Sequence, residues 1–292
     1  MAQSTLHNSM PNQPKAVMAE VRAQLDHVVL LLPYSYLTNP PVWLTDNFTI
    51  GPGGRHADGK TENRLVIFKD GTYLELIAFV DDDPAKRHGH WWDKPFGVID
   101  FALRGSSSRK DVDFSTVNAR LSETNTGISY ERPQAGGRTT PDGVELKWVV
   151  TFPKGAERGS VPFWCEDRTP RERRVPVTET NTRHPSGAVG IKAIQLEVDS
   201  NTSFTRLNCA TSAIVDRPIT EEGEYAVGRP FEIGAGAAEP VIRIGMSEKE
   251  RDSGKAFLRL ALVLHAGQEP PEDIRQEVEN NNGLVAIQFE KL

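Results

Sequence analysis

Two polar side chains interrupt apolar strand sequences. His27 lies in LDHVVLLLP, residues 25–33, and Glu75 lies in YLELIAFV, residues 73–80. Alternate residues of a strand share a face. His27 therefore joins Leu25, Val29 and Leu31, while Asp26 points the other way with Val28 and Leu30. Glu75 joins Tyr73 and Ile77. Burying an unpaired carboxylate is expensive, so Glu75 sits at a sheet margin, forms an ion pair or binds a metal. A neutral imidazole facing a carboxylate across a concave sheet is the start of a divalent metal site. The plainer alternative is a hydrogen-bonded histidine and a solvent-facing or salt-bridged glutamate.

Other residues could complete such a site. The loop RHADGKTENR, 55–64, is dense in polar groups. Arg55, His56, Asn63 and Arg64 could line a cavity mouth and hold an anionic or carbonyl-bearing ligand; the alternative is a solvated surface. Asp100, in GVIDFAL, occupies the place in a second copy that His27 occupies in the first. It is a candidate metal ligand or general base, or else a carboxylate held by an arginine. Trp148, Phe163 and Trp164 would form an aromatic pocket wall, or plain core. The pair Trp91-Trp92 either packs across a joint or stands over a ligand. His184 precedes Pro185, which favours extended backbone, and Gly187 allows a turn that could bring the imidazole back toward the first domain; the alternative is an ordinary linker histidine.

The elements that must position these groups follow a repeated order. LDHVVLLL reads as a strand, NPPVWLTDNF (39–48) as a short helical turn, GPGGRHADGK (51–60) as a turn with a brief strand, and 62–80 as a hairpin about Asp70-Gly71. The order returns with VIDFALRG (98–105), a helix over 112–127 with Phe114, Val117 and Leu121 on one face, and strands at 128–133, 144–152 and 161–166. DRTPRERRVPVTETNTRHPSG, 167–187, reads as a linker or long crossing loop. A third copy begins with the strand 189–198 and the helix-like 203–210, supplies strands across 225–265, and ends with the predicted helix EDIRQEVEN (272–280) and a final strand.

This grammar predicts an α+β protein of strand-rich modules, each roughly 70 residues long, whose apolar sheet faces pair. The expected organisation is a leader at 1–22, a domain at 23–175 made of modules 23–95 and 96–175, a linker at 176–188 and a C-terminal α+β module at 189–292. The strands lie too close together for regular βαβ crossovers. No phosphate-binding glycine motif follows a strand, so no nucleotide cofactor is expected. The net charge of -6 gives no general attraction for nucleic acid or anionic membrane. Two cysteines without metal-ligand spacing, and no apolar run of roughly 18 residues, favour a soluble cytoplasmic protein.

LDHVVLLLP, GGRHADGKTENRLVIF and YLELIAF together resemble the glyoxalase-like domains of the vicinal oxygen chelate superfamily, as do PFWCED and RHPSGA. The resemblance is best over 25–187. It implies paired βαβββ modules whose curved mixed sheets enclose a cavity, with a third similar module behind them. It also implies one divalent metal (Zn, Fe, Mn, Ni or Mg) held by ligands from the first and last strands of each module. His27 matches the first-strand histidine and Glu75 the last-strand glutamate. The second module departs from this pattern, with Asp100 at the first position and Trp164 at the last. His184 would substitute as a ligand only by folding back. The activity implied is lyase or isomerase chemistry on an oxygenated small metabolite, with Glu75 or Asp100 moving the proton. The alternatives are a non-catalytic binding or sequestering protein and a metal-dependent dioxygenase. The expected partner is a small molecule, bound by a monomer or homodimer.

Overall fold

The computed structural model describes residues 22–106, 111–140, 142–234, 237–247, 257–264, 269–279 and 283–292. Four strands build the first half: β1 (Ala23–Leu31), β2 (Gly51–Arg55), β3 (Thr61–Ile67) and β4 (Tyr73–Phe79). β1 runs parallel to β4, and β4, β3 and β2 follow antiparallel. Two short helices, α1 (Tyr34–Thr38) and α2 (Val42–Thr45), bury Leu37 and Leu44. At about 1.5–3 kcal/mol per buried leucine, these contacts hold helices too short to persist alone. A third short helix, α3 (Pro84–Arg87), leads to the next strand.

The second half repeats the scheme. It contains β5 (Phe96–Gly105), α4 (Phe114–Glu123), β6 (Ser129–Tyr130), β7 (Gln134–Thr139), β8 (Glu145–Thr151), β9 (Pro153–Lys154) and β10 (Phe163–Asp167). β5 runs parallel to β10, and β10, β8 and β7 follow antiparallel. β6 and β9 pair apart from the main sheet. Asp113 caps α4 by accepting from the Ser115 amide, and Val117 and Leu121 are buried, as the apolar spacing predicts.

β1 and β5 join the halves antiparallel. On the far side, a bridge between His56 and Arg138 and the bond from the Ala57 amide to the Gly137 carbonyl draw β2 and β7 together. The result is a nearly closed, curved sheet of eight strands around a cavity. β7 was not expected from sequence, because paired glycines in QAGGRT weaken a strand signal.

The third region uses the same pairing in shortened form. A short helix, α5 (Arg171–Arg174), precedes β11 (Ala188–Val198), and α6 (Asn201–Val215) follows it. β12 (Glu224–Ala226), β13 (Val241–Met246), β14 (Phe257–Leu264), β15 (Ile274–Glu277) and β16 (Gly283–Lys291) complete it. β11 runs parallel to β13 and β14 parallel to β16, while β11 and β14 pair antiparallel. β16 continues the sheet onto β5 through Gly283 and Leu284. The predicted helix at 272–280 is instead the strand β15, antiparallel to β16. Nine residues make a marginal helix, and the waiting edge of β16 decides the outcome.

Residues 167–187, read as a linker or crossing loop, pack against the first half. Val175 joins Leu65, Ile67 and Tyr73 in a buried cluster, and Arg174 is buried. At the β3–β4 turn, Asp70 is fully buried and accepts from the Thr72 amide at 2.9 Å and the Ile191 amide at 3.2 Å. It thereby fastens the hairpin to β11. Burial pushes its pKa up to about 6, against the hydrogen bonds from Thr72 and Ile191.

Candidate functional site

The curved sheet encloses a cavity of about 200 Å³. Its wall carries the polar groups His27, His56, Asn63, Glu75 and Arg138. Trp91, Trp92, Trp148, Phe152 and Phe163 supply aromatic surface, with Phe163 edge-on to His27 at 5.4 Å and Trp148 edge-on to His56 at 6.2 Å.

Strand alternation places the polar groups. Thr61, Asn63 and Leu65 of β3 face inward, as do Tyr73 and Glu75 of β4. Asn63 Nδ2 donates to Glu75 Oε1 at 2.6 Å, and His56 Nε2 lies 3.4 Å from the same oxygen. His27 Nε2 lies 3.6 Å from Glu75 Oε2, beyond ordinary hydrogen-bond range. The other His56 nitrogen, Nδ1, is 2.7 Å from Thr61 Oγ1. Burial alone would raise the Glu75 pKa. Hydrogen bonds from His56 and Asn63, with the charges of His56 and His27, hold it down at about 2. Glu75 is therefore an ionised group set between two imidazoles.

Asp26 is the principal residue that strand alternation misplaced. The β1–β5 register shifts between Leu25 and His27, and the resulting bulge re-aims the side chain. The Asp26 carboxylate lies 2.7 Å from His27 Nδ1. It is fully buried and also receives Arg174 Nη1 at 3.1 Å and a bond from Arg171. Burial opposes its ionisation, but Arg171, Arg174 and His27 keep its pKa well below the usual carboxylate range. The His27 ring also stacks on Tyr73, centroids 4.7 Å apart. Together these contacts fix the ring with Nδ1 toward Asp26 and Nε2 toward the cavity side of Glu75.

His56, Asn63, Trp148 and Phe163 line the cavity with His27 and Glu75, whereas five other candidates do not. Arg55 is exposed and pairs with Glu62 at 3.4 Å. Arg64 lies on the face of β3 opposite to Asn63, as alternation requires. Trp164 turns away from its neighbour Phe163 and packs on Phe114 and Tyr130. Asp100 is fully buried, receiving Trp92 Nε1 and Arg158 Nε at 3.1 Å each. It is thus the arginine-held carboxylate, occupied behind the cavity wall rather than free as a base. His184 does not fold back to the cavity. Its Nδ1 accepts from the Thr49 amide at 3.1 Å and its Nε2 meets the Ile67 carbonyl at 3.0 Å, so it pins the crossing segment. Burial lowers its pKa to about 4.

Two arginines escaped the sequence reading. Arg174 lay in a presumed linker, and Arg138 in an unrecognised strand. Arg138 is only 6% exposed and lines the cavity.

Residues 25–208 match the family described as the glyoxalase-like domain, a span of more than half the chain. The chain belongs to that family. This places it in the vicinal oxygen chelate superfamily, whose fold the paired halves reproduce. Among solved structures, a hypothetical protein from Staphylococcus aureus is similar in fold at 13% identity and a TM-score of 0.59, covering 92% of this chain and 100% of that one. Methylmalonyl-CoA epimerase from Mycobacterium tuberculosis is 16% identical with a TM-score of 0.33, covering 54% of this chain and 97% of that one. A mutant of 4-hydroxymandelate synthase from Streptomyces coelicolor is 9% identical with a TM-score of 0.45, covering 92% of each chain. No curated protein matches the sequence. No helix among the described residues is long and apolar enough to cross a membrane.

The glyoxalase-like fold implies a divalent metal, and the donor set present does not fit one. Among the described residues, no three His, Cys, Asp or Glu side chains are placed to hold an ion. His27, His56 and Glu75 come nearest, but Asn63 already occupies one Glu75 oxygen. The second half contributes Phe163 and Cys165 in place of ligands. Burial pushes the Cys165 thiol well above its ordinary pKa, away from the thiolate that binds metals.

Proposed function

We propose that this protein is a small-molecule isomerase or lyase in which His27 moves a proton at a carbon next to a carbonyl group. The observation that carries this reading is the buried Asp26 carboxylate, 2.7 Å from His27 Nδ1, behind an imidazole that faces the cavity. A base oriented by a second group is the arrangement general acid–base catalysis needs. Asp26 accepts the Nδ1 proton, which leaves the Nε2 lone pair for substrate. When Nε2 takes the proton, the C–H bond breaks, its electron pair forms the carbon–carbon double bond of an enolate, and the carbonyl π pair moves onto the oxygen. The anionic Glu75 favours the imidazolium so formed, and His56 faces the same space for proton return. Reprotonation at the adjacent carbon completes an isomerisation, and expulsion of a neighbouring leaving group completes an elimination. The tryptophans and phenylalanines hold the apolar part and exclude water. The two cysteines are free, which supports a reducing cytoplasmic location.

The test is deuterium incorporation. The full chain is incubated in D₂O with a panel of small 2-oxo and 2-hydroxy carbonyl compounds, and exchange at the adjacent carbon is followed by NMR. Protein-dependent exchange with at least one compound is expected, falling about 10²–10⁴-fold in His27→Gln with the circular dichroism unchanged. Undiminished exchange in that variant would defeat the proposal. Loss of exchange in strong chelator would return the metal-dependent version. The aromatic part of the cavity wall favours a second reading, a binding protein without turnover; tight binding with no exchange would select it.

A further inference from the structure

We infer that the ligand carries a carboxylate, which pairs with Arg138, and an apolar or aromatic body, which lies against Trp148. This rests on the cavity being the functional site and adds the substrate class. Arg138 differs from the other buried arginines. Arg174 is bonded to Asp26, Asp167 and Tyr73, Arg158 to Asp100, and Arg229 to the Ala237 and Ala238 carbonyls. Among the described residues, Arg138 makes no side-chain hydrogen bond and no close ion pair, and it lines the cavity, where Glu75 attracts it only from a longer range.

A buried cation without a partner is costly, and a ligand anion would remove that cost. Glu75 attracts the guanidinium without closing an ion pair on it, because its oxygens are engaged by Asn63, His56 and His27. The planar fork of an arginine matches a carboxylate in a two-point contact. The neighbouring strand geometry supplies the rest of the subsite. Gly136 lies two residues before Arg138, and a Cβ there would come within 2.4 Å of Trp148 Nε1. The glycine thus lets the indole lie directly on the β7 backbone, two residues along the strand from Arg138. A charged head and a flat apolar tail are recognised side by side.

The probes are phenylacetate and its neutral isostere phenylacetamide, titrated into the full chain by calorimetry and tryptophan fluorescence. Phenylacetate is expected to bind about tenfold or more tighter than the amide. Arg138→Gln should erase that preference while leaving amide affinity unchanged. Arg138→Lys, which keeps the charge but not the fork, should retain part of it. Should Arg138→Gln fail to fold, the lysine variant and the wild-type comparison still decide. Equal affinity for the two probes, failure of phenylacetate to bind at millimolar concentration, or a preference that survives in Arg138→Gln would overturn the inference. His27→Gln should leave the preference intact. A failed proton-transfer mechanism and a failed carboxylate subsite are therefore separately visible.

Discussion

The two halves of the curved sheet share one strand scheme and carry opposite chemistry. The first half presents His27, His56, Asn63 and Glu75 to the cavity, while the second presents Trp148, Val150, Phe152, Phe163, Cys165 and Arg138, with Arg174 of the crossing segment beside them. Each half also buries an aspartate near the start of its first strand region, and the two differ in where they act. Asp26 is held by Arg171 and Arg174 and still reaches a cavity imidazole. Asp100 is held by Arg158 and Trp92 behind the wall. Arg158 in turn lies over the rings of Phe152 and Phe163, which closes the second half around an internal ion pair. The first half thus supplies most of the titratable groups of the cavity, and the second much of its aromatic and aliphatic wall.

The contrast can be broken most directly at Asp26. Asp26→Asn leaves Arg171 and Arg174 with Asp167 as their one remaining carboxylate and should cost about 3 kcal/mol in urea unfolding, with loss of proton exchange as His27 loses its orienting acceptor. Glu75→Gln should lower exchange about 10²–10³-fold with a small change in stability. Asp100→Asn should do the reverse, costing about 3 kcal/mol by leaving Arg158 unpaired while exchange per folded molecule stays the same. Equal catalytic loss in both variants would erase the distinction between the halves.

Asp70 sharpens the comparison from the side where the third region docks. Its folded pKa, about 6, lies above the ordinary 3.8, so the folded state binds more protons than the unfolded state in that window. Its contribution to stability is fully present below 3.8 and is lost as pH rises to about 6. The wild type should therefore lose about 3 kcal/mol across the window relative to Asp70→Asn, read from urea unfolding of both at matched pH. A flat difference would mean that the carboxylate is not sealed at the joint. The smallest effect is expected at Gly136. Gly136→Ala, by displacing the Trp148 indole, should cost about 1–3 kcal/mol and shift the tryptophan emission, with no change in the His27-dependent step.

Much of the first half was legible because its reasons are local. Period-two alternation placed Asn63 and Glu75 on the inner face and, read strictly, placed Arg64 on the outer one. The same rule failed at Asp26, because a bulge against β5 depends on the partner strand and leaves no mark in β1 alone. It also forbids Phe163 and Trp164 from sharing a wall, and only Phe163 faces inward. Arg138 was hidden in a glycine-rich strand that owes its existence to pairing with β8. Arg174 and His184 were hidden in a polar segment that looked like a linker.

The sequence by itself determined the strand-rich α+β class, the repeated module order and the imidazole–carboxylate pair, since these follow from hydrophobic period, turn residues and the cost of burying charge. Tertiary structure alone decided which aspartate meets His27, which arginine of the cavity wall is left without a close ion pair, and that the second half closes on its own ion pair. Those outcomes depend on which distant strands meet and in what register, and a shift of one residue exchanges the two faces of a strand.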